Sequence, residues 1–97
     1  MEKTIWKYEL KVTAGQNILM PIGAEILTVQ MQGGTPYLWG LVNPKAETES
    51  RSIEMFGTGN PVLYNTGVSR KYISTFQMQN GGLVFHVFEY TGVRRKK

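Results

Sequence analysis

The sequence predicts an all-β fold: a compact antiparallel β-sandwich or small barrel of about seven strands with tight hairpins. Three observations carry this. Apolar residues recur with period two in almost every patterned segment. Turn signals rich in Gly, Asn and Pro break the pattern at short intervals. No segment shows the apolar stripe of period 3.6 that a packed helix requires.

Taken in order, Trp6, Tyr8, Leu10 and Val12 alternate with Lys7, Glu9 and Lys11, which predicts a half-buried strand over about residues 4–13. Ala14-Gly15-Gln16-Asn17 then turns the chain. Ile18, Met20 and Ile22 form a second segment, and Pro21, lacking a donor, confines it to a sheet edge. Leu27, Val29 and Met31 alternate with Ile26, Thr28 and Gln30 in a third. Tyr37 to Val42 is apolar at both parities, the mark of a central strand. Asn43 is an N-cap type and Pro44 suits a first helical position, so Pro44–Glu49 is expected to make one or two surface turns at most. Ser52–Gly57, Lys71–Gln79 and Leu83–Tyr90 complete the set.

Two turns stand out. Asn80-Gly81, followed by Gly82, is the strong hairpin signal, because a tight hairpin needs positive φ. Gln32-Gly33-Gly34-Thr35-Pro36 reads as a looser version. The strands leading into them are similar: Thr28-Val29-Gln30-Met31-Gln32 against Thr75-Phe76-Gln77-Met78-Gln79. This invites a reading as two stacked hairpins of common origin, and shared hairpin chemistry explains it nearly as well.

The chain's 97 residues make one domain, expected over residues 1–92, with a short basic tail over 93–97 that is expected to be disordered. The tail distorts the charge. Of 11 Lys and Arg, Arg94, Arg95, Lys96 and Lys97 supply four, leaving 7 basic against 7 acidic residues in the body. A nucleic-acid surface needs a basic stripe on the domain itself. Nucleic acid is therefore an unlikely partner, except for weak, salt-dependent contact through the tail. With no Cys, disulfides and thiol chemistry are excluded; with His86 alone, so is a multi-His metal cluster. No apolar run approaches a membrane span and no signal peptide is evident, so a soluble intracellular protein with no membrane partner is expected.

Candidate chemistry is sparse. Gly57-Thr58-Gly59-Asn60-Pro61 resembles a phosphate loop only superficially, since Pro61 and more loop follow where a helix should start. Its backbone amides remain candidate ligand contacts, with Arg70 and Lys71 nearby in sequence. His86 shares strand parity with Val84, Phe88 and Tyr90 and reads as structural. Glu54 and Glu89 are the acids on offer, but spacing builds no constellation with them. Ser50, Ser52, Ser69 and Ser74 lack a nucleophile context. Of the aromatics, Tyr8, Trp39, Phe85 and Phe88 are expected in the core, whereas Trp6 and Tyr37, near strand ends, are the better partner contacts. Gln30, Gln32, Gln77 and Gln79 offer a neutral polar face, solvated or buried between subunits. That face, with exposed strand edges, points to a homo-oligomer.

Some residues carry a resemblance. Thr4-Ile5-Trp6-Lys7-Tyr8-Glu9-Leu10 resembles the opening of a family of short bacteriophage and prophage proteins of unknown function. The similarity continues through Pro21, Gly23-Ala24, Ile26-Leu27 and Val29-Gln30, then Leu38-Trp39 and Leu41-Val42. It goes on through Gly57 to Pro61, Tyr72-Ile73, Thr75-Phe76-Gln77 and Leu83 to Glu89, most of the chain except the tail. In that family a His often stands at the position of Asn60, and the basic tail is not part of the pattern. The resemblance implies a viral or prophage origin and a host-cytoplasm setting, and brings no catalytic residues.

The resulting expectation is a small phage-type, non-enzymatic binding protein without a cofactor. It would interfere with host defence by binding a host protein or sequestering a nucleotide signal. Its candidate contacts are Trp6, Tyr37, Thr58, Asn60, Arg70 and Lys71. The alternatives are a virion or tail accessory protein and, last, a hydrolase using His86.

Overall fold

The computed structural model describes residues 1–93. The basic tail from Arg94 to Lys97 lies outside the described residues. Seven strands form two antiparallel sheets: β1 (Thr4–Glu9), β2 (Gly15–Pro21), β3 (Glu25–Gln32), β4 (Thr35–Val42), β5 (Thr48–Gly57), β6 (Val68–Met78) and β7 (Leu83–Val93). One sheet has the order β1-β4-β3 and the other β2-β5-β7-β6. The arrangement is a sandwich, not a closed barrel.

The strand pattern follows the sequence with shifted ends. β1 stops at Glu9 because Leu10 turns into the core, and the Gln16 side chain takes both the amide and the carbonyl of Lys11. β2 therefore begins at Gly15, inside the segment expected to turn, and it is an edge strand as Pro21 requires. β4 is the central strand of its sheet. Helix is absent at Pro44–Glu49: a single turn closes with Ala46 N–H on the Asn43 carbonyl, and β5 starts at Thr48. β6 starts at Val68, ahead of the expected start at Lys71, so Arg70 also sits in the strand rather than in the loop before it.

The two hairpin turns exchange roles. Gly33-Gly34 is a two-residue connection between paired Gln32 and Thr35, with φ of +58° and +83°. Such a turn needs positive φ at both positions, which glycine tolerates without strain. The Asn80 turn is the longer one. It spans Gln79 to Gly82 between paired Met78 and Leu83, with Gln79 and Asn80 both left-handed.

The core lies between the sheets: Leu10, Met20, Ala24, Val29, Leu38, Val42, Ile53, Met55, Phe76 and Val87. Tyr8 and Phe85 pack against it as expected. Trp39 and Phe88 do not. Register puts Trp39 opposite Lys7 and Thr28, and Phe88 opposite Glu54 and Tyr72, so both stand half-buried on outer faces. Apolar residues at both parities of a strand place one set outside whenever only one face meets the other sheet. The four glutamines likewise divide. Gln30 and Gln32 share the outer face of the first sheet with Tyr37, whereas Gln77 lies on the outer face of the second and Gln79 in the turn.

Besides facing each other across the core, the sheets come together at one side, where β3 packs against β6. A bulge between Tyr72 and Ser74 turns the Ser74 hydroxyl toward β3, where it accepts from the Val29 amide at 2.7 Å. This satisfies a donor on an otherwise unpaired edge. Beside it, Arg51 Nε and Nη2 bond both carboxylate oxygens of Glu89, and Nη1 reaches the Ala24 carbonyl at 2.8 Å. The Glu89 hydrogen bonds hold the Arg51 guanidinium above its ordinary pKa range despite burial. On the opposite side, among the described residues, β1 and β2 are free edges.

Candidate functional site

Pairing between β5, β7 and β6 builds the site on the outer face of the four-stranded sheet. Three cross-strand rows face outward: Ser52, Tyr90 and Arg70; Glu54, Phe88 and Tyr72; Phe56, His86 and Thr75. Opposed residues of antiparallel strands share a face and touch. Phe88 accordingly packs edge-on against both Phe56 and Tyr72, with ring centroids 5.9 and 5.5 Å apart.

The chain leaving β5 folds back over these rows. Thr58 N–H bonds the Val84 carbonyl and Asn60 N–H bonds the Gly57 carbonyl. The Asn60 carboxamide lies so close to Gly57 that an added Cβ there would stand 2.9 Å from Nδ2. A cavity of about 340 Å³ opens between this turn and the sheet, lined by residues that include Thr58, Asn60, Val62, Tyr72, His86 and Phe88. It is bounded by rings, a methyl-bearing loop and neutral polar groups. No Asp, Glu, Lys or Arg is among its lining residues.

His86 forms the floor, and hydroxyls take both ring nitrogens. Nε2 lies 2.7 Å from Thr58 Oγ1, and Nδ1 lies 2.9 Å from Thr75 Oγ1. Thr75 Oγ1 is in turn 2.7 Å from the Tyr72 hydroxyl. The two acids that the sequence offered as partners are engaged elsewhere. Glu54 pairs with Arg70 at 2.7 Å, and Glu89 is buried with Arg51 on the inner face. An imidazole fixed by two hydroxyls is well oriented, yet it lacks the carboxylate that stabilises an imidazolium in the usual nucleophile–base arrangement.

Arg70 anchors the wall of the loop. Its guanidinium carbon lies 4.8 Å from the Tyr64 ring centre, 5.4 Å from Phe56 and 5.6 Å from Tyr90. Nε donates to Glu54 and Nη1 to the Leu63 carbonyl. The Glu54 hydrogen bond holds its pKa above the ordinary range, against the opposing effect of burial.

Of the six residues singled out from sequence, Thr58 and Asn60 line the cavity, and Arg70 stands beside it as a support. The other three are dispersed. Lys71 lies opposite Glu89 on the inner face of β6, at a second cavity of about 260 Å³ along the β3–β6 seam. Tyr37 stacks near Trp39 on the outer face of the three-stranded sheet, under the Lys7 ammonium at 4.5 Å. Trp6 lies on edge strand β1, opposite Gly40 and 41% exposed. Sequence reasoning placed Phe88 on the same strand face as His86 but missed Phe56, Tyr72 and Thr75 as its cross-strand neighbours. Their outward parity was legible, but the pairing that groups them was not. Among the described residues, no group of three or more His, Asp or Glu could hold a metal, and no helix is long and apolar enough to cross a membrane.

The structure thus defines a class: an antiparallel β-sandwich with an uncharged, aromatic-walled pocket on one outer face. By its sequence the chain belongs to a family known as a domain of unknown function, DUF7352, whose profile matches residues 1–96. No curated protein and no solved structure matches it.

Proposed function

We propose that the chain is a non-catalytic binding protein of bacteriophage or prophage origin, working in the host cytoplasm, that docks a host protein by taking one of its apolar or aromatic side chains into the His86 pocket. Interference with a host defence protein is the role that this origin suggests. One observation carries the choice of ligand: the pocket lining is aromatic and uncharged, and the nearest guanidinium, Arg70, is committed to Glu54 and Leu63. A nucleotide signal would bring phosphates to a lining with no Lys or Arg to meet them, whereas an aromatic side chain meets Phe88 and Tyr72 edges. Leu63, Tyr64 and Tyr72, at 68%, 57% and 54% exposure, extend the apolar surface around the mouth. The non-enzymatic reading is supported by the hydroxyl partners of His86 and by the commitment of Glu54 and Glu89 to arginines.

Titration of the labelled protein with N-acetyl-tryptophanamide, followed by amide NMR shifts, tests this. Shifts confined to Thr58–Val62, Tyr72 and Phe88 with a roughly millimolar constant, as befits a fragment, are expected. Phe88→Glu should abolish them. Micromolar binding of a cyclic nucleotide at the same residues would replace the reading with nucleotide capture. No shift with any of these probes would remove the pocket as a site. Detection of the chain as a stoichiometric part of purified particles would favour the virion alternative.

A further inference from the structure

From the free edge of β1 we infer a second binding site, one for another copy of this chain. Two β1 strands pair antiparallel across a two-fold axis at Trp6, joining the three-stranded sheets of two copies into one of six strands. This does not depend on the pocket, which lies on the other sheet.

The direction of the edge groups follows from one hydrogen bond. Leu10 N–H donates to the Pro36 carbonyl on β4. Backbone groups alternate in direction along a strand. Thr4, Trp6 and Tyr8 therefore bond inward to β4, while Lys3, Ile5, Lys7 and Glu9 present N–H and C=O to the open side. Nothing among the described residues covers that side: β1 ends the sheet order, Ile5 is 56% exposed and Trp6 41%. Lys side chains often guard such edges. Here Lys7 reaches the other way, across Tyr37 to Gln32 Oε1 at 2.7 Å.

Charge and the extent of strand overlap together select the register. Side-by-side antiparallel copies related by a two-fold axis keep the same face up, so odd residues meet odd residues. An axis at Ile5 sets Lys3 against Lys7, and an axis at Lys7 sets Lys7 against itself. An axis at Tyr8 also sets Lys7 against Glu9 twice, but it overlaps only the last residues of β1, pushes Ile5 against Lys11 and competes with the Lys7 bond to Gln32. An axis at Trp6 sets Lys3 against Glu9 twice and Ile5 against Lys7 twice. Neither Lys3 nor Glu9 has an ion-pair partner among the described residues. All four of these pairs are of the hydrogen-bonded kind, and the two Trp6 residues meet as a close, non-hydrogen-bonded pair on the inner face.

Sedimentation and crosslinking test the interface. The full chain should sediment at twice its monomer mass at about 0.1 mM, well above the constant expected of a specific contact. Lys3→Glu or Glu9→Lys should each shift it to monomer, and the double variant Lys3→Glu/Glu9→Lys should restore the dimer. The chain has no cysteine. Trp6→Cys should therefore form a covalent dimer on mild oxidation, because Cα atoms of such a pair stand at a disulfide-compatible separation. Leu19→Cys, 66% exposed on the other free edge, should not. A monomer at this concentration, failure of the charge exchange to restore association, or equal crosslinking at Leu19→Cys would overturn the inference.

Discussion

Tyr8 is the side chain in this structure with the least satisfied chemistry. Its hydroxyl is buried without a hydrogen-bond partner among the described residues, and burial raises its pKa from 10.0. Removing an unpaired buried hydroxyl relieves a desolvation cost, so Tyr8→Phe should stabilise the fold by about 1 kcal/mol in urea denaturation. The sign with pH follows. A folded pKa above the unfolded value favours the neutral phenol, a contribution fully present below pH 10 and lost as pH climbs through the folded value. The native protein should therefore lose stability above pH 10 more steeply than Tyr8→Phe. Thr75 shows the opposite case, a hydroxyl used on both sides. Thr75→Val leaves Nδ1 of His86 and the Tyr72 hydroxyl without this partner. It should cost about 1 kcal/mol and move the His86 ring-nitrogen resonances.

Between elements, loop 58–67 is held by one residue of β6. Arg70 is closed in by Phe56, Tyr64 and Tyr90 and tied to the Leu63 carbonyl. Arg70→Met keeps the length and loses every charge-assisted bond. Amide exchange within the loop should accelerate about tenfold, roughly 1.4 kcal/mol of local opening energy. This anchor shows how far the sequence could be read. Strand identity was legible where apolar and polar residues alternate, as over Val29–Gln32 of β3, because there the alternation follows burial. Ends were not: β5 begins at Thr48, in polar sequence whose pairing with Pro21 and Met20 decides the matter. Nor could Arg70 be distinguished from a ligand contact, since its aromatic cage comes from β5, β7 and the loop. Thr58 and Asn60 stood out as part of a Gly-rich turn, and the structure places them on the cavity wall. Phe56 and Tyr72 emerged only once register placed them in rows beside Phe88.

At the scale of the molecule, the two sheets form a flattened body of 43 × 42 × 15 Å, joined along the β3–β6 side. A single hydroxyl, Ser74, satisfies the Val29 amide there. Ser74→Ala should strand that amide and cost about 1–3 kcal/mol. Its hydrogen exchange should then approach that of the loops while the β5–β7 amides stay protected. The pattern would identify the seam as the first place where the layers part. Arg51 and Glu89 stand at the same junction, and neutralising either alone should be costlier than replacing both with leucine, because one charge would be left buried.

The run from Tyr72 through Thr75 and His86 to Thr58 has a consequence of its own. A hydroxyl both gives and accepts a proton, and a neutral imidazole carries its hydrogen on either nitrogen. The whole series can therefore reverse polarity with every heavy atom at rest. In one sense Thr58 turns a lone pair toward an incoming guest, in the other its hydrogen. The cleft can thus turn either a donor or an acceptor toward its opening with no change of shape.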